Sequence, residues 1–132
     1  MSGICWNGNT SIIILSSLIY WIKLLKLPSK EGILKWNLVE HSVYIITNKP
    51  NGVLYIGLTR QLKARISQHK RKVHPSTFSA RYNLNRLVYF ETFSSKQEGL
   101  KRERQMKKWN RNWKVQLIEE LNPNWNDLYL EL

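Results

Sequence analysis

Two tyrosines, Tyr44 and Tyr55, lie on either side of a Pro-Asn-Gly sequence in the stretch VYIITNKPNGVLYIGLT. Tyrosine is a common strand residue, so each ring has an ordinary structural interpretation. A positioned phenol can also transfer protons in a reaction. The two tyrosines are therefore either sheet aromatics or the two halves of one reactive site.

Arg65 and His69 follow in the segment QLKARISQHK, four residues apart, so a helix places both on one face. Leu62 and Ile66 border that face. An arginine beside apolar residues usually extends its charge into solvent, but its planar guanidinium also matches the geometry of a phosphate. For His69, packing or a simple phosphate contact stands beside assistance to a general base.

Glu103 lies in LKRERQMKKW, where Leu100, Glu103 and Lys107 follow helical spacing and cations surround the carboxylate. A surface salt bridge is the common role of such a glutamate and is worth little. A lone carboxylate can also hold one Mg²⁺, because phosphate and water supply the other ligands. The chain has no glycine-rich phosphate loop, G-x-S-x-G or H-E-x-x-H motif, which argues against nucleotide-hydrolysing and acyl-transfer enzymes.

The charge distribution indicates a polyanionic partner. The formal net charge is +12, from 21 Lys and Arg against 9 Asp and Glu, and no acidic residue lies between His41 and Phe90. Nucleic acid is the first candidate and an anionic membrane surface the second. The cations of this segment expected to contact a nucleic-acid backbone are Lys49, Arg60, Lys63, Lys70, Arg71 and Lys72.

Residues 1–40 differ from the rest and are interpreted as an apolar N-terminal extension. Thr10–Leu27 is too short and too interrupted by lysines for a membrane span, and no basic region precedes it as in a signal peptide. Peripheral membrane contact through residues 10–27 stays open. The single cysteine, Cys5, excludes an internal disulfide and suits the reducing cytoplasm, which is the expected localisation.

From His41 onward the sequence is typical of one compact domain, residues 41–132. Strands are predicted at Ser42–Thr47, Val53–Leu58 and Leu87–Thr92. Helices are predicted at Gln61–Lys72, from a Ser95 cap to about Trp109, and near Asn112–Leu121. His74–Asn85 is predicted to be a polar loop. The order β-β-α-β-α-α predicts an α+β fold with a small, mainly antiparallel three-stranded sheet flanked by helices.

The length of the first hairpin loop decides whether the two tyrosines can cooperate. Side chains alternate across a strand, and opposed residues share a face. A loop with an even number of residues, such as Asn48–Asn51, places Tyr44 opposite Tyr55. An odd loop separates the two rings unless a bulge intervenes.

Taken in order, these motifs resemble the GIY-YIG nuclease family, in particular its small stand-alone bacterial members. Tyr55-Ile56-Gly57 matches the second half-motif, and Val43-Tyr44-Ile45 stands where the family's name has Gly-Ile-Tyr, without the glycine. YIGLTRQLKARISQH is similar to the pattern that gives Arg65 and His69, and LKRERQMKKW to the helix that gives the metal-binding Glu103. WKVQLIEELNP resembles the end of the small members, with Asn122 as the match to a polar residue near the site. The resemblance covers about His41 to Leu132.

The resemblance implies a one-metal phosphodiesterase. In that family one Mg²⁺ or Mn²⁺ ion sits on the glutamate, here Glu103. The first tyrosine, Tyr44, activates water, the arginine, Arg65, steadies the scissile phosphate, and Tyr55 positions the reactants. A free tyrosine has a pKa near 10, and nearby cations together with the metal are expected to lower the pKa of Tyr44. A glycine at Gly57 allows a ligand or another backbone to come close.

The expected function is therefore a divalent-metal-dependent endonuclease that cuts DNA, directed to branched or damaged structures as in DNA repair, and RNA stays open as the less favoured substrate. Two alternatives stay open. One is a basic nucleic-acid-binding module without catalysis, which binds backbone phosphates in a salt-dependent way. The other is a membrane-surface protein, in which the apolar segment Ser11–Leu27 inserts into lipid.

Overall fold

The computed structural model describes residues 39–132, so the predictions for the N-terminal extension fall outside the described residues apart from its last two positions. Three strands form one antiparallel sheet in the order β2-β1-β3. They are β1 (His41–Thr47), β2 (Leu54–Thr59) and β3 (Arg86–Phe93). The central strand β1 is buried along its whole length, because both of its edges are paired and helices cover the sheet. The predicted α+β class is confirmed.

Four helices and a short 3₁₀ turn complete the described part of the chain. They are α1 (Leu62–Lys70), α2 (Phe78–Arg81), α3 (Lys96–Lys108), α4 (Arg111–Leu121) and the 3₁₀ turn Leu128–Glu131. The predicted Ser95 cap is present, since its hydroxyl accepts a hydrogen bond from the Gln97 amide. The prediction of His74–Asn85 as a loop is wrong at its centre, where Thr77 caps α2.

The two faces of the sheet support two separate apolar clusters. Val43 and Ile45 point to one face, where they pack with Met106 of α3 and with Leu117 and Ile118 of α4. Tyr44 and Ile46 point to the opposite face, where Ile66 of α1, Leu84 and Leu87 surround them. Because side chains alternate along a strand, Tyr44 and the cluster around it lie on the opposite side of β1 from the core that contains Val43 and Ile45.

The hairpin loop between β1 and β2 contains six residues, 48–53, and its geometry follows from its sequence. Pro50 and Asn51 occupy the centre of a turn closed by the Gly52 amide, which donates to the Lys49 carbonyl at 2.9 Å. Asn51 adopts a left-handed backbone with φ of 55°, which asparagine tolerates better than most residues. Arg111 at the start of α4 donates hydrogen bonds to the Asn51 and Gly52 carbonyls at 2.6 and 2.7 Å and so holds the turn in place.

The buried face of α3 differs from the predicted one by one position. Gly99, Arg102 and Met106 are buried, whereas the prediction placed Leu100, Glu103 and Lys107 on the apolar side. The sequence places Arg102 among the cations around Glu103, but its guanidinium pairs with the buried Glu91 carboxylate at 2.7 Å. A paired and hydrogen-bonded charge can replace an apolar residue at a buried position.

The last helix also buries fewer residues than its spacing predicted. Leu117 and Ile118 enter the core, whereas Trp113 and Leu121 stay exposed. On α1 the inward residues are Ile66 and His69, and Val73 lies beyond the helix in solvent. None of the helices within residues 39–132 has the length and apolar character that a bilayer span requires.

Candidate active site

Tyr44 lies at the centre of the sheet with only 1% of its surface exposed, and its ring covers the backbone of Gly57 on the adjacent strand. The register pairs Tyr44 with Gly57. A Cβ atom added to Gly57 would lie 2.5 Å from the Tyr44 hydroxyl oxygen and 2.6 Å from Cζ. The close approach predicted at Gly57 is therefore made by the Tyr44 ring, and only glycine leaves it room.

Tyr55 shares the face of Tyr44 but is not directly opposite it. The loop has an even number of residues, which is the condition for both tyrosines to share a face, but it has six residues rather than four, so Tyr55 pairs with Ile46. The two phenol rings are diagonal neighbours with centroids 6.4 Å apart. The His69 imidazole lies 5.8 Å from the centroid of each ring, so the three rings form one cluster on this face.

The Tyr44 hydroxyl contacts both polar residues of α1. His69 Nε2 lies 3.0 Å from the hydroxyl oxygen, and Arg65 Nε lies 3.4 Å from it and donates to it. The residue spacing explains the arrangement, since Arg65 and His69 are one helical turn apart and face the sheet together. Besides its hydrogen bond to Tyr44, Arg65 interacts electrostatically with Tyr55, and both contribute to the raised pKa of the guanidinium, so its charge acts on both phenols.

Two hydroxyls of the segment around α2 orient the imidazole from its other side. The Thr77 hydroxyl donates its single proton to the His74 carbonyl at 2.8 Å, so it must accept from the Ser79 hydroxyl at 3.2 Å. The Ser79 oxygen then accepts from His69 Nδ1 at 3.0 Å. Donor counting thus assigns the proton of the neutral ring to Nδ1 and leaves Nε2 as an acceptor.

The direction of the Tyr44 hydrogen bond follows from that tautomer. Because His69 Nε2 carries a lone pair, the Tyr44 hydroxyl donates to it at 3.0 Å. Sequence reasoning did not identify Ser79 or Thr77. Thr77 could have been found from the sequence, because a threonine directly before Phe-Ser-Ala-Arg has the pattern of a helix N-cap.

Burial decides the ionisation of Tyr44. Desolvation raises its pKa to about 12, although the hydrogen bond from Arg65 opposes this shift. The expectation that surrounding cations lower this pKa is therefore wrong for the protein by itself. The ring is buried, whereas the Lys49 and Lys63 side chains are exposed to water, which screens their charge. Tyr44 carries its proton at neutral pH.

The pKa of His69 shifts in the opposite direction, and burial is again the main cause. Burial, together with the charges of Arg65 and His74, lowers its pKa to about 4. A buried imidazole is easier to keep neutral than charged. At neutral pH the ring is therefore unprotonated at Nε2, in the state that can accept a proton from Tyr44.

Glu103 is on α3 and its charge reaches Tyr44, whose pKa the carboxylate helps to raise. Its own partner is Lys107, one helical turn further on, at 2.8 Å. The surface ion pair considered from the sequence is thus present. Within residues 39–132 there is no group of three or more metal-ligating side chains. A single carboxylate next to a substrate phosphate still fits Mg²⁺, which takes its remaining ligands from phosphate and water.

The six cations predicted to bind nucleic acid differ in their surroundings. Lys72 lines a shallow cleft together with Arg65 and His69. Lys70 is engaged by the Asp127 carboxylate, and its ammonium lies 5.1 Å from the centre of the Tyr129 ring. The remaining four side chains are exposed: Lys49, Arg60, Lys63 and Arg71.

Asn122 has a structural role in the described structure. Its amide nitrogen donates to the carbonyls of Val88 and Asn126 at 3.2 and 2.9 Å, and its amide oxygen accepts from the Asn126 backbone. These bonds fix the chain after α4 against β3. Contact between Asn122 and a substrate stays a prediction, and the hydrogen bonds give it no support.

The missing motif glycine is located by counting back from Tyr44. The Gly-Ile-Tyr triplet then falls on Ser42-Val43-Tyr44, so Ser42, and not Val43, occupies the glycine position. Val43 is fully buried in the apolar core on the other face of the sheet. Ser42 lies between Thr59 and Thr92 and its hydroxyl is 3.4 Å from that of Thr92. A small polar side chain therefore fills the place of the glycine.

Comparisons with known proteins identify the family of the chain. The model of the GIY-YIG catalytic domain matches residues 40–116, which is more than half of the chain. The chain is 39% identical over 87 residues to the UPF0213 protein SH2523 of Staphylococcus haemolyticus, covering 63% of this chain and 99% of that protein. A UPF0213 protein of Staphylococcus aureus is 36% identical over 81 residues, which are 61% of this chain and 96% of that one.

A solved structure is also similar. It is the solution NMR structure of the UPF0213 protein BH0048 from Bacillus halodurans, with 27% sequence identity and a TM-score of 0.43, covering 67% of this chain and 92% of that one. Residues 40–116, which the GIY-YIG model matches, contain all five residues of the candidate site: Tyr44, Tyr55, Arg65, His69 and Glu103.

Proposed function

Because the chain belongs to the GIY-YIG family, a family of nucleases, we propose that it is a divalent-metal-dependent endonuclease that hydrolyses phosphodiester bonds in DNA. One observation carries the proposal. The buried Tyr44 hydroxyl is held between a proton acceptor, His69 Nε2 at 3.0 Å, and a cation, Arg65 Nε at 3.4 Å. A nucleophile relay with a base and an orienting group has this arrangement.

In the proposed reaction Tyr44 and His69 work as one proton relay. The attacking water gives a proton to the Tyr44 oxygen while Tyr44 passes its own proton to His69 Nε2. The phenolate is never a free intermediate, so the pKa of about 12 does not prevent the reaction. The negative charge of a bound phosphodiester raises the pKa of His69 from about 4 and makes it a stronger base when substrate is present.

Arg65 is the cation that we assign to the scissile phosphate. It is partly buried and fixed by Tyr44 and by Gln68, whose side-chain oxygen accepts from Nη1 at 3.0 Å. A guanidinium held in this way can bind two phosphate oxygens and stabilise the charge that develops as the P–O bond breaks. Tyr55, on the same face, contributes a second hydroxyl that can orient the reactants.

Glu103 is the residue that we assign to one Mg²⁺ or Mn²⁺ ion. When bound, the ion supplies a Lewis acid for the phosphate and its leaving oxygen. Binding of the ion requires the carboxylate to leave Lys107, a pair that is partly exposed and therefore inexpensive to break. The lysine can then turn toward the nucleic-acid backbone.

The basic surface supports DNA as the partner, because the acid-free stretch from His41 to Phe90 surrounds the site with cations. Structure-directed or damage-directed cleavage, as in repair, remains part of the proposal, as does the cytoplasm as the place of action. A non-catalytic binding module is the alternative that the following experiment distinguishes.

The test compares two glutamates of α3 in the full chain. Glu103→Gln should slow the cutting of branched and linear DNA at least 100-fold in Mg²⁺ and leave binding within about twofold. Glu98→Gln, in the exposed first turn of the same helix, should cut like the parent. Equal cutting by the parent and Glu103→Gln refutes the assignment. Binding without cutting in any divalent metal selects the binding module.

A further inference from the structure

Helix α2 and the residue that follows it expose two aromatic rings to solvent beside the candidate active site. Phe78 is 48% exposed and Tyr82 is 45% exposed, and their ring centroids are 4.6 Å apart with planes tilted by 45°. Single exposed apolar side chains are ordinary on soluble proteins. Two large rings in mutual contact, each with half of its surface open, form instead an aromatic surface that a flat partner can cover. We call these two residues the aromatic pair.

The aromatic pair is directly connected to the catalytic cluster. Phe78 precedes Ser79, whose hydroxyl contacts His69 Nδ1 at 3.0 Å. The outer side of this segment therefore carries the rings, and its inner side carries the hydroxyl that orients the imidazole. Neighbouring Cα atoms are only about 3.8 Å apart. Thr77 and Ser79, on either side of Phe78 in the sequence, line the cleft that contains Arg65 and His69. A group stacked on the aromatic pair would therefore lie at the rim of that cleft, within reach of a strand whose phosphate Arg65 holds.

The surroundings of the aromatic pair are cationic. Arg71, Lys72 and Arg81 are exposed within the same stretch of chain, and Lys72 lines the cleft that contains Arg65 and His69. The sequence from His41 to Phe90, which contains these residues, has no Asp or Glu. A basic track beside aromatic rings is the combination by which proteins bind single-stranded nucleic acid, because cations hold the phosphates and rings stack on the bases.

From this juxtaposition we propose that the aromatic pair is a stacking platform for an unpaired base next to the scissile phosphate. The substrate class is then DNA with single-stranded character at the cleavage point, such as a flap, an end or a loop. A base inside a duplex has both faces covered by its neighbours and must be unstacked before it can use the platform. This inference rests on the proposed nuclease function for its site and adds the class of substrate.

The aromatic pair also has a purely structural interpretation. Phe78 and Tyr82 are four residues apart, and such pairs stabilise helices. Leucine retains the apolar contact of such a pair but removes the aromatic face. The double variant Phe78→Leu/Tyr82→Leu therefore separates stacking from helix support. Trp113→Leu is the matched control, because Trp113 is 47% exposed on α4, which packs on the opposite face of the sheet.

Binding is measured without cleavage, in the full chain carrying Glu103→Gln and in EDTA. The probes are a fluorescein-labelled 15-nucleotide DNA strand and a blunt duplex of the same sequence. The double leucine variant should raise the Kd for the strand about tenfold, as expected for the loss of one stacked base, and the Kd for the duplex less than twofold. The Trp113→Leu control should change neither value.

A second measurement needs no variant. A strand with 2-aminopurine at one position should lose fluorescence when it binds, because stacking on an aromatic ring quenches this base, and the double leucine variant should restore the signal. The proposal is overturned if the parent binds neither probe, if binding leaves the fluorescence unchanged, or if the double variant weakens strand and duplex equally. A parent that cuts DNA while the aromatic pair has no effect on strand binding retains the nuclease function and loses only the substrate class.

Discussion

His69 should lower the free energy of unfolding in mild acid. The substitution His69→Gln measures this contribution by itself. The pKa of His69 is lowered from 6.5 to about 4 in the folded protein, chiefly by burial. Between these two pH values the unfolded chain binds a proton at this ring and the folded chain does not. Stability from this group is therefore complete above about pH 6.5 and is lost as the pH falls toward 4.

The size of the effect follows from the shift. Each pKa unit corresponds to about 1.36 kcal/mol, so the loss between pH 7 and pH 5 is about 2 kcal/mol. In His69→Gln the amide oxygen can still accept from the Tyr44 hydroxyl, but the side chain does not titrate. The variant should lose about 2 kcal/mol less than the parent over that interval.

The assay is urea unfolding at pH 7 and pH 5, followed by tryptophan fluorescence, for three proteins. The parent and His69→Gln give the difference of interest, and His74→Gln is the control, because His74 is exposed and next to the same cleft. The carboxylates titrate equally in all three proteins and cancel in the comparison. If the parent and His69→Gln lose equal stability on acidification, His69 is not held neutral by burial and the proposed relay loses its acceptor.

Three further predictions concern single contacts. Gly57→Ala should displace the Tyr44 ring, since the new methyl group would lie 2.5 Å from its hydroxyl oxygen. We expect the free energy of unfolding in urea to fall by about 1–3 kcal/mol and the cleavage rate to fall more than tenfold, and an unchanged activity would contradict the geometry. Arg102→Ala should cost about 3–5 kcal/mol in the same unfolding assay, because Glu91 stays buried without its partner, and a loss below 1 kcal/mol would refute the buried pair. Lys107→Gln should lower the Mg²⁺ concentration for half-maximal cleavage about twofold by freeing its carboxylate partner, and an increase would argue against metal binding there.

The strands and the residues of the site could be predicted from the sequence because their signals are local. Alternating apolar residues define β1 and β2, and an even loop places Tyr44 and Tyr55 on one face. Helical spacing brings Arg65 and His69 to the same side of α1. The loop has six residues instead of four. This difference changes which residue lies opposite Tyr44, but both tyrosines remain on the same face of the sheet.

The ionisation states could not be predicted, because they depend on burial and not on composition. The sequence shows many cations near Tyr44, and these alone lower a phenol's pKa. The folded chain encloses the ring, and the desolvation penalty exceeds the attraction. In the same way, a partner 57 residues away, Asp127, engages Lys70, and no local pattern reports such a pair.

The structure of the polar segment before β3 also could not be predicted from the sequence. His74–Asn85 is rich in small polar residues, which favours a loop. Its residues nevertheless have two distinct roles, since the hydroxyls of Thr77 and Ser79 point inward to His69 and the rings of Phe78 and Tyr82 point outward. Helical periodicity over four residues is too short to be recognised among turn residues.

The burial of Tyr44 and His69 also explains how a site in so basic a domain can remain poised for an anionic substrate. Desolvation raises the pKa of the phenol and lowers that of the imidazole, so both groups are neutral at pH 7. Arg65 is then the charged member of the hydrogen-bonded chain, and its charge is one cause of the low pKa of His69. A phosphate that binds Arg65 compensates this charge and makes protonation of the imidazole easier. In the proposed reaction the substrate therefore increases the basicity of His69, the residue assigned to receive the proton, and this restricts proton transfer to the occupied site.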